Sequence, residues 1–262
     1  MVYIDDGIKA KQWLQMKFND DLSDIRREEY GYYKYYVEKF ISSYFSKQRV
    51  IGKNILDFGC GPGYFSVILA NSGANIIGID KCRYLIEKAQ EHKIRLNLEN
   101  VDFYHTDLNS YSLTYNKDKY DYILAIDTIV SLDYGRLVHN HNQVVEIFRG
   151  VHKLLKEDGR FFIIESHPFF GQLFMTAYSS EGGENYYKSN YSYKVEHKEN
   201  NYPHHWFTLD ELTKATYESG LVIRRIHEPD PSIELKNEDK NTYTFRIKHP
   251  AMIVYEISKL NT

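Results

Sequence analysis

The sequence predicts an α/β protein in which a mostly parallel sheet is covered by helices on both faces. Three observations predict it. Short apolar runs of strand length alternate with helix-length segments between residues 54 and 166, the pattern of successive β–α–β units. The first run, "NILDF", opens directly onto three glycines at alternate positions, Gly59, Gly61 and Gly63. The second, "NIIGID", ends in an acid, Asp80.

Taken in order, residues 1–49 read as a helical N-terminal cap. Within them "KQWLQMKFNDDLSDI" and "REEYGYYKYYVEKFISSYF" repeat large apolar and aromatic side chains at spacings of three and four. Residues 50–166 form the core. After "NILDF" comes the helix "YFSVILANSG", ended by Gly73, then the strand "NIIGID" and the helix "CRYLIEKAQEHKIRLN". "VDFYHTD" and "YDYILAID" are strands, "NQVVEIFRGVHKLLKEDG" is a helix stopped by Gly159, and "RFFIIES" is a strand. Residues 167–205 are rich in Tyr, Ser, Asn, Gly and His without a clean period, and read as a lid inserted over the mouth of the sheet. In residues 206–262 the alternation resumes. Thr208 with Glu211 three residues on forms a capping box for "LDELTKATYESG". "LVIRRIHE" and "MIVYEIS" supply the last two strands, with a polar excursion at 229–250 between them. The whole chain, 1–262, reads as a single domain.

Bulk composition excludes several classes. Hydrophobic residues are 42% of the chain, enough for a sizeable core, and the mean hydropathy is -0.54. Thirty-three basic residues against 36 acidic ones leave a formal charge of -3. That balance gives no electrostatic reason to expect nucleic acid or an anionic membrane. Cys60 and Cys82 are the only cysteines, too few for a disulfide framework and at no zinc spacing. The N-terminus "MVYIDDGIKAKQW" is acidic where a signal peptide is basic and apolar. No apolar run approaches about 18 residues. These features point to a reducing, cytoplasmic compartment. The 24 tyrosines suit a cleft that grips something amphipathic.

Glycine directly after a parallel strand lets the backbone turn sharply and lets a ligand approach main-chain N–H groups. Asp80, 17 positions beyond Gly63, ends the next strand, where a carboxylate can accept from two ribose hydroxyls. Asp107 follows the third strand, where it can accept from an adenine amino group. Together these describe a nucleoside pocket. A dinucleotide site would place a third small residue where Tyr64 stands, and a P-loop would need Gly-Lys-Ser/Thr, which is absent. Asp57 ahead of the turn would repel a pyrophosphate but suits a cationic amino group. The pocket therefore fits a nucleoside with a positive end.

"ILDFGCGPGYFSVILA", "IIGID", "YHTDLNS", "YDYILAID" and "LLKEDGRFFIIE" resemble, in order, the motifs of the class I S-adenosylmethionine-dependent methyltransferases. The tail "HHWFTLDELTKATYESGLVIRRIHEP" is similar to the corresponding segment of the small-molecule branch. The resemblance implies a Rossmann-like sheet of about seven strands with an antiparallel last strand. It also implies S-adenosyl-L-methionine as cofactor and S-adenosyl-L-homocysteine as product. Carried over by position, Gly59, Cys60, Gly61 and Gly63 pass under the methionine part and Asp57 reaches its amino group. Asp80 holds the ribose diol with Lys81 beside it, Asp107 and Leu108 bracket the adenine, and Ile126 and Asp127 face the sulfonium and the substrate. The family's Gly-Gly after the fifth helix is here Asp158-Gly159.

Methyl transfer to oxygen or protonated nitrogen needs a base, and a neutral imidazole suits pH 7. His167, after the fifth strand, and His205, at the far end of the insertion, are the leading candidates, followed by His204, His139 and His141. His92, His152, His227 and His249 are assigned to surface faces or strand ends. Cys60 reads as a small turn residue, Asp80 and Asp107 have helix capping as their structural alternative, and no metal site is expected. Base-amine methyltransferases carry Asp/Asn-Pro-Pro-Tyr/Phe after the fourth strand, whereas this chain has "DTIVSL". With no basic arm in view, a small-molecule substrate is favoured over RNA or protein, over a cofactor-binding protein without methyl transfer, and over a dehydrogenase. The oligomeric state is open.

Overall fold

The structure is a computed structural model that describes residues 7–18, 22, 32–114, 119–129, 141–167, 178–181, 192–197, 200–205 and 208–260. The strands are β1 (Asn54–Phe58), β2 (Asn75–Asp80), β3 (Val101–His105), β4 (Tyr120–Ile126), β5 (Leu155–Ser166), β6 (Tyr178–Glu181), β7 (Ser192–His197), β8 (Asn200–His205), β9 (Leu221–His227) and β10 (Met252–Lys259). Seven of them make one sheet in the order β3-β2-β1-β4-β5-β10-β9. The five strands from β3 to β5 are parallel, and β10 runs antiparallel to both of its neighbours. This is the Rossmann-like sheet with one reversed strand. The order turns back on itself between β1 and β4, the switch point outside whose carboxyl ends open α/β sheets bind ligands.

Both faces of the sheet are covered, so its central strands are apolar throughout rather than alternating. Consecutive residues serve opposite layers. Ile55, Leu124, Phe162 and Ile164 join a cluster with Tyr35, Tyr36, Ile41 and Phe45 of the N-terminal segment. Leu56, Ile123, Phe161 and Ile163 join another with Val144, Phe148 and Val151. The ring centroids of Phe45 and Phe162 are 5.1 Å apart, and those of Phe148 and Phe161 are 5.7 Å apart. The N-terminal segment is therefore a layer of the fold. It comprises α1 (Gly7–Lys17), a π-helical turn (Tyr33–Val37), α2 (Glu38–Tyr44) and α3 (Lys47–Val50).

The core helices α4 (Tyr64–Asn71) and α5 (Arg83–Arg95) fall where the apolar spacing places them. Four features depart from the sequence expectation. Asp107 is followed by a short helix, α6 (Leu108–Thr114). α7 (His141–Leu154) stops well before Gly159, because Leu155 already pairs with Tyr120. The next pair is Tyr122 with Arg160, so residues 156–159 bulge out of the ladder. A Cβ on Gly159 would lie 2.9 Å from Leu155 Cγ; the glycine serves the bulge, not the helix end. The stretch 167–205, which shows no period in sequence, contains β6, β7 and β8 as a separate antiparallel sheet. Finally, α8 (Leu209–Glu218) has the expected capping box on Thr208, but the polar excursion after β9 holds two helices. These are α9 (Ile233–Glu238) and α10 (Lys240–Lys248), the second capped by Asp239, which accepts from Thr242 N at 2.9 Å. Among the described residues no helix is long and apolar enough to cross a membrane.

Candidate active site

The glycine turn follows β1 directly and meets the end of β2. Gly59 N and Cys60 N both donate to Ile79 O, at 2.8 and 3.0 Å. The Asp80 carboxylate then receives Gly61 N at 2.9 Å and Cys82 N at 2.8 Å. Turn and acid thus form one cradle. Burial raises the pKa of Asp80, and the two backbone N–H groups draw it back.

The three glycines are required for different reasons. All have positive φ, +75° at Gly59, +53° at Gly61 and +78° at Gly63, a region costly to residues with a Cβ. A Cβ on Gly59 would strike Thr128 Oγ1 at 2.3 Å, and one on Gly63 would strike Phe103 Cζ at 2.6 Å. Only at Gly61 is the Cβ direction open to ordinary contact, with Trp13 Cη2 at 3.8 Å. Two glycines serve packing inside the protein, and the middle one, itself buried, lies under the Trp13 ring with its N–H on Asp80.

Asp57 lies in β1 beneath the turn, 2% exposed. Burial pushes its pKa up to about 6, opposed by the hydrogen bond from Ser66 and reinforced by the charge of Asp80. Cys60 is a buried free thiol, held well above the usual thiol range by burial and by Asp57 and Asp80. That environment suits a packing residue and not a nucleophile. His105 Nε2 donates to the carbonyl of Lys81 at 2.8 Å, fixing the backbone beside Asp80. Asp107 caps α6: its two oxygens accept from Ser110 N and Ser110 Oγ, each at 3.0 Å. Burial raises its pKa, but Ser110 and the charge of Lys81 outweigh this and the net shift is downward. Leu108, the first residue of α6, is buried.

On the other side of the turn, Ile126 ends β4 and Asp127 takes a left-handed conformation with φ +49°. Asp127 N donates to Ile164 O at 2.9 Å. Its carboxylate accepts from Tyr33 Oη at 2.6 Å. Thr128 Oγ1 donates to Phe58 O at 3.0 Å, and Ile129 N donates to the buried Glu165 at 2.9 Å. Tyr33, Trp13, Ser66, Thr128 and Glu165 were not among the residues singled out from sequence. Only the surplus of tyrosines, read as suiting a gripping cleft, carried a signal for any of them.

The histidine candidates divide. His167 is buried, with Nε2 at 3.0 Å from Glu228 Oε1 and its backbone N–H on Ala251 O. Both partners come from the β9–β10 side of β5. Burial lowers its pKa and Glu228 opposes the shift. His204 and His205 lie in β8, opposite Tyr193 and Ser192. His141 opens α7 and pairs with Glu218 at 2.9 Å. His139 and Trp206 lie outside the described residues. His92 is not a surface residue: it is 4% exposed, because it lies on the face of α5 turned to the sheet. His227 is partly buried against Glu256 at 3.2 Å.

A carboxylate fixed to the glycine turn and a buried acid beneath it fit a nucleoside with a cationic end. Comparison with known proteins agrees. Residues 50–228 match the family described as a methyltransferase domain. Two solved structures share the fold at low identity. An S-adenosylmethionine-dependent methyltransferase from Listeria monocytogenes is 19% identical with a TM-score of 0.59, covering 83% of this chain and 92% of that one. Another from Mesorhizobium loti is 16% identical with a TM-score of 0.57, covering 84% and 95%. A local likeness, 40% identical over 65 residues, links 23% of this chain to the 23S rRNA (uracil(1939)-C(5))-methyltransferase RlmD of Shewanella denitrificans. It spans only 14% of that protein's length. With the family match covering more than half of the sequence and the cradle in place after β1, the chain belongs to the methyltransferase domain family as a class I S-adenosylmethionine-dependent methyltransferase.

Proposed function

We propose that the protein methylates an oxygen or nitrogen atom of a small metabolite. The observation that carries this reading is the cover over the glycine turn. Trp13 lies beside Gly61 and Tyr33 is bonded to Asp127, both from the N-terminal layer. A ligand site closed by fixed aromatic side chains suits an acceptor of metabolite size.

Bound S-adenosylmethionine supplies an electrophilic methyl group on a sulfonium. In this reading Gly59, Cys60, Gly61 and Gly63 run beneath the methionine part, and Asp57 holds its amino group directly or through water. Asp80 takes the ribose diol with Lys81 beside it, Asp107 and Leu108 bracket the adenine, and Ile126 and Asp127 face the methyl. His167 or His205 removes the acceptor's proton. For His167 the support is its lowered pKa, which keeps the imidazole neutral at pH 7. Its Nε2 contact with Glu228 would orient the ring and make Nδ1 the accepting atom. Two free, buried thiols support a reducing, cytoplasmic setting.

A second reading, methylation of RNA, is favoured by the local likeness to the ribosomal RNA enzyme. One assay separates them. Cell extract is incubated with the protein and methyl-labelled cofactor, then split into small molecules, RNA and protein. Label in the small-molecule fraction is expected; ribonuclease-sensitive label in the large fraction would replace the first reading with the second.

A further inference from the structure

The site as described uses Asp80 on the β2 side of the glycine turn. On the β4 side stands Asp127, and the residue that reaches it comes from 94 positions earlier in the chain. Tyr33 sits at the start of a five-residue π-helical turn, a distortion that recurs at functional positions in helices. The widened turn buries Tyr33, Tyr35, Tyr36 and Val37 together. A hydroxyl-to-carboxylate bond is among the stronger neutral-to-charged contacts.

The rest of the arm is fastened over the same edge. The Tyr33 ring stacks on Phe65 of α4, with centroids 6.0 Å apart, and Lys17 Nζ lies 4.6 Å from the Tyr33 centroid. Phe18 packs on Tyr64, the first residue after the glycine turn, at 5.2 Å. Trp13 packs on Phe18 at 5.9 Å and borders Gly61. Apart from the Lys17 ammonium over the ring, these contacts are apolar and forgiving. The Tyr33–Asp127 bond is directional, and it ends on the residue that closes β4.

We propose that Tyr33 is a positioning residue: its bond to Asp127 latches the N-terminal arm across the carboxyl edge of the sheet and so retains the cofactor. The proposal rests on the reading that the cofactor crosses the glycine turn. Entry and exit then require the latch to open, and its strength acts on the release rate more than on the capture rate.

The test uses S-adenosylhomocysteine with the full chain, read by calorimetry and by stopped-flow tryptophan fluorescence. Tyr33→Phe removes only the hydroxyl. It is expected to weaken binding about tenfold, nearly all of it in faster release. In an Asp127→Ala background, Tyr33→Phe is expected to change affinity less than about twofold, since its partner is gone. Unchanged release in Tyr33→Phe, or an equal effect with and without the Asp127 carboxylate, would overturn the latch. If Tyr33→Phe does not fold, Asp127→Ala alone must show the accelerated release. Asp80→Ala separates the two levels of the argument. If it abolishes binding while Tyr33→Phe does nothing, the cofactor site stands and the latch falls. If the wild type binds no S-adenosylhomocysteine, the cofactor reading falls and takes the latch with it.

Discussion

Ser66 Oγ lies 2.5 Å from Asp57 Oδ2, and both side chains are buried. The first turn of α4 thereby folds its hydroxyl back onto the strand that launches the glycine turn. Burial still wins at Asp57, whose pKa stands at about 6 against an ordinary 3.8. The folded chain holds this proton more tightly than the unfolded chain does. The stabilisation is full below pH 3.8 and is lost as pH rises through about 6. At neutral pH the ionised Asp57 therefore costs on the order of 3 kcal/mol. Asp57→Asn is expected to gain stability on the wild type as pH goes from 5 to 7, measured as the difference in urea midpoint. A constant difference would mean that Asp57 titrates normally.

With Asp57 holding the cofactor's amino group, as proposed, the same proton would govern cofactor affinity. A cationic amino group favours the ionised carboxylate, so binding must expel the proton where Asp57 still carries it. S-adenosylhomocysteine should bind about tenfold more tightly at pH 7.5 than at pH 5, and Asp57→Asn should flatten that dependence in calorimetry. A flat profile in the wild type would remove Asp57 from the site.

At Gly59 the obstacle is a single neighbour, Thr128, 2.3 Å from the added Cβ. Gly59→Ala should lower unfolding stability by about 2 kcal/mol or more, combining left-handed strain with the clash. Adding Thr128→Ala should return part of that loss, because the clash is relieved while the strain is not. Chemical denaturation of the two single variants and the double variant checks this.

Asp80 accepts two backbone N–H groups with its two oxygens. In Asp80→Asn one of those donors faces an amide NH2. The exchange should destabilise the turn and weaken S-adenosylhomocysteine by at least about tenfold. Asp80→Glu, which keeps both oxygens but displaces them, should not restore it.

The capping box at Thr208 is complete, with Glu211 N donating to Thr208 Oγ1 at 3.2 Å and Thr208 N to Glu211 Oε2 at 3.0 Å. Thr208→Ala should cost about 1 kcal/mol, seen in thermal melts, with cofactor affinity unaltered.

The parallel core was legible because its signals are local. Apolar runs mark β1, β2 and β4, the first two with glycine beside them, and Thr208 with Glu211 marks a helix start by a contact three residues long. The cradle was legible because Asp80 closes the strand beside the turn. What escaped depends on distant partners. Nothing near Tyr33 in sequence announces Asp127, and nothing near Gly59 announces Thr128. The strands β6, β7 and β8 escaped because a sheet of tyrosines, serines and asparagines has no apolar alternation to read. Gly159 misled because a glycine after a helical pattern reads as a stop, whereas Leu155 had already joined the sheet.

The reversed strand β10 lies between β5 and β9 and is hydrogen-bonded to both. Newly made chain up to residue 251 would therefore present two bare ladders, one on each side of an empty slot. Residues 252–259 fill that slot last, and their arrival joins β9 to the other five strands in one step. An interrupted synthesis product that stops before them would carry the glycine cradle intact, yet expose two sticky edges to its neighbours.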